Sequence, residues 1–209
     1  MLMSELAARA GVPVPTVKYY LREKVLMPGR ATSATRAEYD ETHIRRIALI
    51  KALSALGVSM TRIKVIVGLI DTADGPLLEL IAAATWALPP VTEAAPDSGA
   101  STGNPRAASI LATLGLTLPT EAPPVAQLEQ ALADAEAAGM PITDERFRIY
   151  TEHVTAIAAY EIENMPLDSA SAAIEYSVLG TILYEPIIAA LRRIAHAELS
   201  FRRLTAEAD

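Results

Sequence analysis

Apolar side chains recur along most of this chain at the three- and four-residue spacing of amphipathic helices, and strand-like alternation is scarce. Ser4 caps a first helix over residues 5–10, with Leu6, Ala7 and Ala10 on its inward face. Glu5 suits the positive end of that helix's dipole, Gly11 stops it, and Val12 fills the turn. Pro13 and Pro15 sit where a second helix begins, because first-turn N–H groups have no intrahelical partner to lose. That helix reaches Arg22. Residues 27–39 hold a short ribbon. A third helix opens near Glu41 and turns Ile44, Ile47, Leu49, Ile50, Leu53 and Leu56 inward. Gly57 ends it, Ser59 caps a fourth, and Ile63, Ile66, Val67 and Ile70 form the buried face of that one.

Pro76 then starts a short helix over 76–88, with an apolar stripe of Leu77, Leu78, Leu80, Ile81, Ala84 and Leu88. Residues 89–106, rich in proline, glycine and small polar side chains, have nothing to bury and read as a linker. Beyond it the alanine-rich pattern predicts helices over 107–116, 124–138, 143–165, 168–184 and 186–204. Gly139 stops the second of these, and Thr143 and Asp168 cap the third and fourth. Pro186 breaks or kinks the last stretch. The fourth is apolar round much of its girth, through Ala172, Ala173, Ile174, Val178, Leu179, Ile182 and Leu183, as a buried or interfacial helix is.

Composition narrows the chemistry. The 209 residues include no cysteine, so thiolate metal sites, disulfides and cysteine nucleophiles are excluded. His43, His153 and His196 lack ligand partners at i+3 or i+4, which argues against a histidine metal site. No glycine-rich phosphate loop, GxSxG or HExxH stands in the sequence, and the expectation is a protein that is not an enzyme and needs no cofactor. The most apolar stretch, residues 77–88, falls short of the ~20 residues a membrane helix needs, and no leader pattern opens the chain. A soluble, cytoplasmic protein without a membrane role is expected. The net charge of −7 is uneven. Residues 1–72 hold 11 Lys/Arg against 6 Asp/Glu, a net +5, and the remainder holds 7 against 19, a net −12. A basic head on an acidic body suits a head that meets a polyanion.

Helix, glycine turn, helix is the shape that sets a second helix in the major groove. Lys18 and Arg22 on that helix can reach phosphates or guanine edges, and tyrosine hydroxyls can reach phosphates. Taken without their surroundings, Tyr19 and Tyr20 are ordinary half-buried aromatics and Lys18 and Arg22 a solvated face. The surroundings are specific. Ser4-Glu5-Leu6-Ala7, Gly11-Val12, Thr16-Val17-Lys18-Tyr19-Tyr20, Leu26-Met27-Pro28, Arg36-x-x-Tyr39 and Leu56-Gly57-Val58-Ser59 through Ile63-Lys64, in this order, resemble the DNA-binding domain of the MerR family of transcriptional regulators. The resemblance covers residues 1–72, about a third of the chain.

The resemblance implies a mainly α protein: a winged helix-turn-helix domain over 1–72, a dimerisation helix over 76–88, the linker 89–106, and a helical effector-binding or dimerising domain over 107–209. It implies a homodimer on inverted repeats in double-stranded promoter DNA, with RNA polymerase as a partner at the promoter. Thr16, Lys18, Tyr19, Tyr20 and Arg22 match the recognition helix, Arg36 and Tyr39 the wing, and Arg62 and Lys64 a second backbone contact at the start of the fourth helix. Pro15 stands where the family commonly has arginine, and Lys18-Tyr19-Tyr20 replaces Arg-Tyr-Tyr, so the preferred DNA sequence differs from that of familiar members. Without cysteine, an organic effector remains. Trp86, Tyr160, Glu161, Glu175, Tyr176 and Tyr184 combine aromatic faces with carboxylates that suit a cationic, lipophilic ligand, although such pairs also occur at helix borders with the charge in water. Two other readings stand beside the ligand-controlled regulator: a drug-sequestering module that autoregulates, and an architectural DNA binder that needs no ligand.

Overall fold

The computed structural model describes residues 1–33, 36–89, 104–113 and 115–206. Its elements are α1 (Met3–Ala10), α2 (Val14–Arg22), β1 (Arg30–Ser33), β2 (Arg36–Glu38), α3 (Glu41–Ala55), α4 (Met60–Thr72), α5 (Leu77–Trp86), α6 (Pro105–Thr113), α7 (Pro123–Ala137), α8 (Asp144–Glu163) and α9 (Ala170–Ala206). They form two compact units, one of Met1–Ala87 with Pro166–Asp209 and one of Leu88–Met165. The C-terminal helix thus belongs with the basic head, whereas the sequence suggested one continuous body over 107–209. Most of the expected linker, residues 90–103, lies outside the described residues, and its last two positions, Pro105 and Arg106, start α6.

In the first unit Leu6, Val17, Val25, Leu26, Ile47, Ile50, Leu53, Ile63 and Ile66 are fully buried, together with Ile174 and Val178 of α9. Each such side chain stabilises the fold by about 1.5–3 kcal/mol relative to an exposed one. α9 packs on α3, α4 and α5. Ser171 Oγ donates to the Ile70 carbonyl at 2.7 Å, tying the first turn of α9 to the end of α4.

The helix ends follow local chemistry, with three departures from expectation. α1 starts at Met3 behind an N-cap at Leu2 that makes no side-chain cap, so Ser4 is a helical residue. The terminal amino group donates to the Tyr39 carbonyl at 2.8 Å and the Tyr39 N–H to the Met1 carbonyl at 2.9 Å, which seats the chain early enough for the helix to begin there. Ser169, rather than Asp168, accepts from the Ala172 N–H at the start of α9. Leu56, expected inside, is the C-cap of α3 and is exposed.

The other signals hold. Gly11 takes the left-handed conformation (φ 62°) that ends α1. Pro13 is the N-cap of α2, with Pro15 in its first turn. α3 opens at Glu41 as expected, behind a cap not singled out from the sequence, Asp40 pairing reciprocally with His43, whose ring closes the box. Ser59 caps α4 and Thr143 caps α8.

The two helices expected over 168–184 and 186–204 are one 37-residue helix with Pro186 inside it. Proline removes one intrahelical hydrogen bond and crowds the preceding turn, at about 3 kcal/mol. Helix on both sides, nucleated by the packed half of α9, offsets that loss because adding residues to a formed helix is far cheaper than starting one.

In the second unit α6 and α7 form a small hairpin around Ala107, Leu111, Ala122 and Val125. Glu129 is buried under it, accepting from the Ala107 N–H at 2.8 Å and from Arg106 at 3.0 Å. Burial works against the Glu129 carboxylate, but these two donors prevail and hold its pKa below the ordinary value. α8 buries no side chain.

Candidate nucleic-acid interface

The recognition-helix candidate, α2, divides cleanly. Val17 and Tyr20 face the core, Thr16 is half-buried, and Lys18, Tyr19 and Arg22 reach solvent. The Arg22 guanidinium lies 5.3 Å from the centroid of the Tyr19 ring, a cation–π contact that gives the long arginine side chain a preferred direction. Tyr19 and Tyr20 rings are 5.9 Å apart and tilted by 52°. Burial, with Tyr19 beside it, raises the Tyr20 pKa, and burial alone raises that of Tyr39. With only 7% and 6% of their surface exposed, these two tyrosines pack the domain, and the outward face of α2 is left to Lys18, Tyr19 and Arg22.

The wing is the antiparallel pair β1–β2, with Arg30 opposite Glu38 and an irregularity between Ala31 and Ser33. Arg30 pairs with Glu38 at 2.8 Å, while Arg36 is exposed on the other strand. The tip of the wing, residues 34 and 35, lies outside the described residues. Gly29 makes the wing's entry possible: a Cβ there would sit 2.7 Å from the Glu38 carbonyl oxygen and 2.9 Å from the Tyr39 ring.

The two cations expected at the start of α4 are both engaged within the chain. Arg62 donates to the Ala87 carbonyl at 3.3 Å, at the end of α5. Lys64 Nζ binds Glu23 at 2.7 Å, and Glu23 also lies 3.6 Å from Arg22. The hydrogen bond from Lys64 holds the Glu23 carboxyl below its usual range. This contact brings α4 against the end of α2, so Lys64, Glu23 and Arg22 form one charged cluster.

Arg46 with its partner Asp71, and Lys51, support these elements and were not singled out from the sequence. Arg46, only 8% exposed, makes a two-pronged pair with Asp71 at the end of α4 and reaches the Val25 carbonyl at 3.5 Å. It ties α3, α4 and the segment after α2 together. Its signal was an arginine inside the apolar run Ile44–Leu53, at a position that helical spacing puts inside. Lys51 Nζ donates to the Ala10 carbonyl at 3.1 Å, closing the turn between α1 and α2 across 41 residues that no local pattern links.

A family model for the MerR HTH family regulatory protein matches residues 1–68. Residues 1–68 form a MerR-family helix-turn-helix domain. The HTH-type transcriptional regulator ZntR homolog of Haemophilus influenzae is 30% identical over 69 residues, which is 33% of this chain and 51% of that protein. The chain thus spans about half the length of that relative. Among solved structures, SCO5550 of Streptomyces coelicolor A3(2), provisionally named a transcriptional regulator, is 28% identical, covers 97% of both chains and superposes with a TM-score of 0.67. The MerR-type domain therefore sits in a chain whose helical remainder also has a structural counterpart.

The expected ligand residues divide between the units. Trp86, Glu175, Tyr176 and Tyr184 belong to the unit that contains the MerR domain, and Tyr160 and Glu161 belong to the other. Glu175 and Tyr176 are half-buried on the part of α9 that packs on the domain, while Trp86, Tyr184 and Tyr160 are exposed. Within α5, the expected dimerisation helix, Leu80 and Ala84 are buried in the chain's own unit and Leu78 is 79% exposed.

Proposed function

We propose that the chain is a cytoplasmic, DNA-binding transcription regulator that acts as a homodimer on an inverted repeat in promoter DNA. The observation that carries the reading is the outward face of α2, where Lys18, Tyr19 and Arg22 stand clear of the core of a MerR-family domain. α2 enters the major groove, with Lys18 and Thr16 at base edges and Arg22 on the backbone. Arg36 holds flanking phosphate from the wing, and Lys64 lies beside the end of α2, where its pairing with Glu23 competes with phosphate. Tyr20 and Tyr39 position these elements from inside. The names of the Haemophilus and Streptomyces proteins support the regulatory role.

Control by a small organic ligand is the finer part of the proposal. Glu175 and Tyr176 lie on the stretch of α9 that carries Ala173, Ile174, Val178 and Ile182 into the core of the first unit. A ligand held there acts by favouring one of two dimer conformations through unequal affinity, and RNA polymerase reads the result at the promoter.

The test is selection of DNA from random sequence by the full-length protein. An enriched inverted repeat supports the reading. No enrichment by folded protein, with or without candidate cationic aromatics present, overturns it.

A further inference from the structure

α9 changes character along its length. Up to Ile182 it contributes core, and from Leu183 onward none of its described residues is buried. That second half, residues 183–206, runs for about 36 Å. Nine large apolar side chains between Leu183 and Leu204 are each more than a third exposed. Together they present roughly 1,000 Å² of apolar surface, when the largest patch on a monomeric protein is usually about 300–600 Å² and a standard interface takes about 800 Å² from each partner.

The apolar positions are ordered. Tyr184, Ile187, Leu191, Ile194 and Phe201 follow at intervals of three, four, three and seven, the spacing of a helix–helix seam. The gap in the seam falls on Glu198, which is neutralised by Arg202 one turn on, at 2.7 Å. The opposite face carries Arg193, His196 and Arg203.

By length and composition α9 would also cross a membrane. One charged face and a first half packed into the folded unit do not suit a spanning segment. They suit a second helix of the same kind.

We infer that residues 183–204 of α9 are the main dimer seam, pairing antiparallel with the same helix of a second copy. The inference rests on the homodimer proposed above and names its interface. Charge fixes the direction. A parallel pair would set Glu198, the charged position in the seam, beside its own copy, whereas an antiparallel pair with its axis between residues 192 and 193 separates the two by 11 residues, about 16 Å. With the two-fold axis between residues 192 and 193, Leu191 meets the partner's Ile194 and Tyr184 meets the partner's Phe201. Ala190 and Ala195 flank the crossing and let the backbones approach. α5 has spent Leu80 and Ala84 inside its own unit and has less to offer.

The test uses full-length protein in sedimentation at micromolar concentration. The native chain is expected at twice 22.2 kDa. The double variant Leu191→Glu with Ile194→Glu is expected at the monomer mass with unchanged helix content, because these side chains are 59% and 64% exposed in the single chain and the charges meet water there. His196→Glu, on the opposite face, is expected to remain dimeric, which separates a lost seam from a damaged fold. Because the chain has no cysteine, Leu204→Cys carries a single spin label. Its two copies should lie roughly 35 Å apart if antiparallel, from the 1.5 Å rise over 23 residues, and about 10 Å apart if parallel. A dimer that survives the double variant overturns the seam and leaves the dimeric regulator standing. A monomeric native chain overturns both, and one that floats with anionic lipid vesicles assigns the face to a membrane instead. A label distance near 10 Å overturns the antiparallel pairing.

Discussion

Glu23 pairs with cations of the proposed DNA-binding face, and its removal has a calculable effect. Its carboxylate binds Lys64 at 2.7 Å and lies 3.6 Å from Arg22, so it masks a cation that the proposed complex places on phosphate. Glu23→Gln keeps the size and removes the charge. One additional phosphate contact steepens the slope of log K against log salt by about 0.9, which at 0.15 M salt is worth about fivefold in affinity per head. Two heads on an inverted repeat give a slope change near 1.8 and about a thirtyfold gain. The assay is fluorescence anisotropy titration of a selected operator between about 0.1 and 0.4 M salt. Glu23→Gln in a Lys64→Gln background is the decisive control: the gain must vanish there, because a general increase in positive field would persist without Lys64. The native protein should not show the gain on mild acidification. Glu23 has a lowered pKa, so its charge, and any stability it lends, is complete above the unfolded-state value and is lost only as pH falls through the lowered one. Unchanged affinity and slope in Glu23→Gln, or a gain that survives loss of Lys64, would refute the masking argument.

Three further outcomes follow from single contacts. Arg36→Ala should weaken specific and nonspecific binding alike and lower the salt slope by about one unit per head; an unchanged slope would remove Arg36 from the phosphate contacts. Gly29→Ala forces a Cβ to within 2.7 Å of the Glu38 carbonyl oxygen, and should cost about 1–3 kcal/mol in denaturant unfolding while weakening DNA binding through a displaced wing; wild-type values for both would show that β1 and β2 can part freely. Glu129→Ala leaves the buried Ala107 N–H without an acceptor and should destabilise the α6–α7 hairpin by about 2 kcal/mol, seen as faster hydrogen exchange in α6. In the native chain the lowered Glu129 pKa keeps that support intact above the unfolded-state value and loses it as pH falls through the lowered one, so α6 exchange protection that fades already at about pH 6 would count against the carboxylate.

Much of the DNA-binding domain was legible because its signals are local. Gly11, Pro13, Pro15, Gly57 and Ser59 act within a turn of themselves, and Ile63, Ile66, Val67 and Ile70 all proved buried. The interior partners were less legible because they depend on distant chain. Lys51 reaches back 40 residues to the first turn, and Arg46 needs Asp71, 25 residues away, before its burial makes sense. Tyr20 and Lys18 sit two residues apart in one motif, yet only the packed structure sends one inside and the other out. Pro186 misled for the opposite reason: it is a strong local signal outweighed by helix on both sides.

The same long-range dependence decides where the head ends. From sequence, residues 1–72 read as a winged helix-turn-helix domain and residues 107–209 as a separate helical domain beyond the linker. In the structure Ile174, Val178 and Ile182 of α9 are buried in the same unit as α3, α4 and α5, and Ser171 satisfies the Ile70 carbonyl. Removing α9 withdraws three large apolar side chains, worth roughly 5–9 kcal/mol by the usual burial scale. That approaches the whole stability of a domain, about 5–15 kcal/mol. A fragment of residues 1–87 should therefore be largely unfolded or strongly destabilised, and adding residues 166–182 as a separate peptide should restore helical signal and cooperative unfolding. Ile70 adjoins Asp71, whose partner Arg46 reaches Val25 just beyond the recognition helix. Partial loss of α9 packing should thus first be felt as faster amide exchange at residues 20–26. A fragment of residues 1–87 as stable as the full chain would show that α9 rests on the head without being part of it.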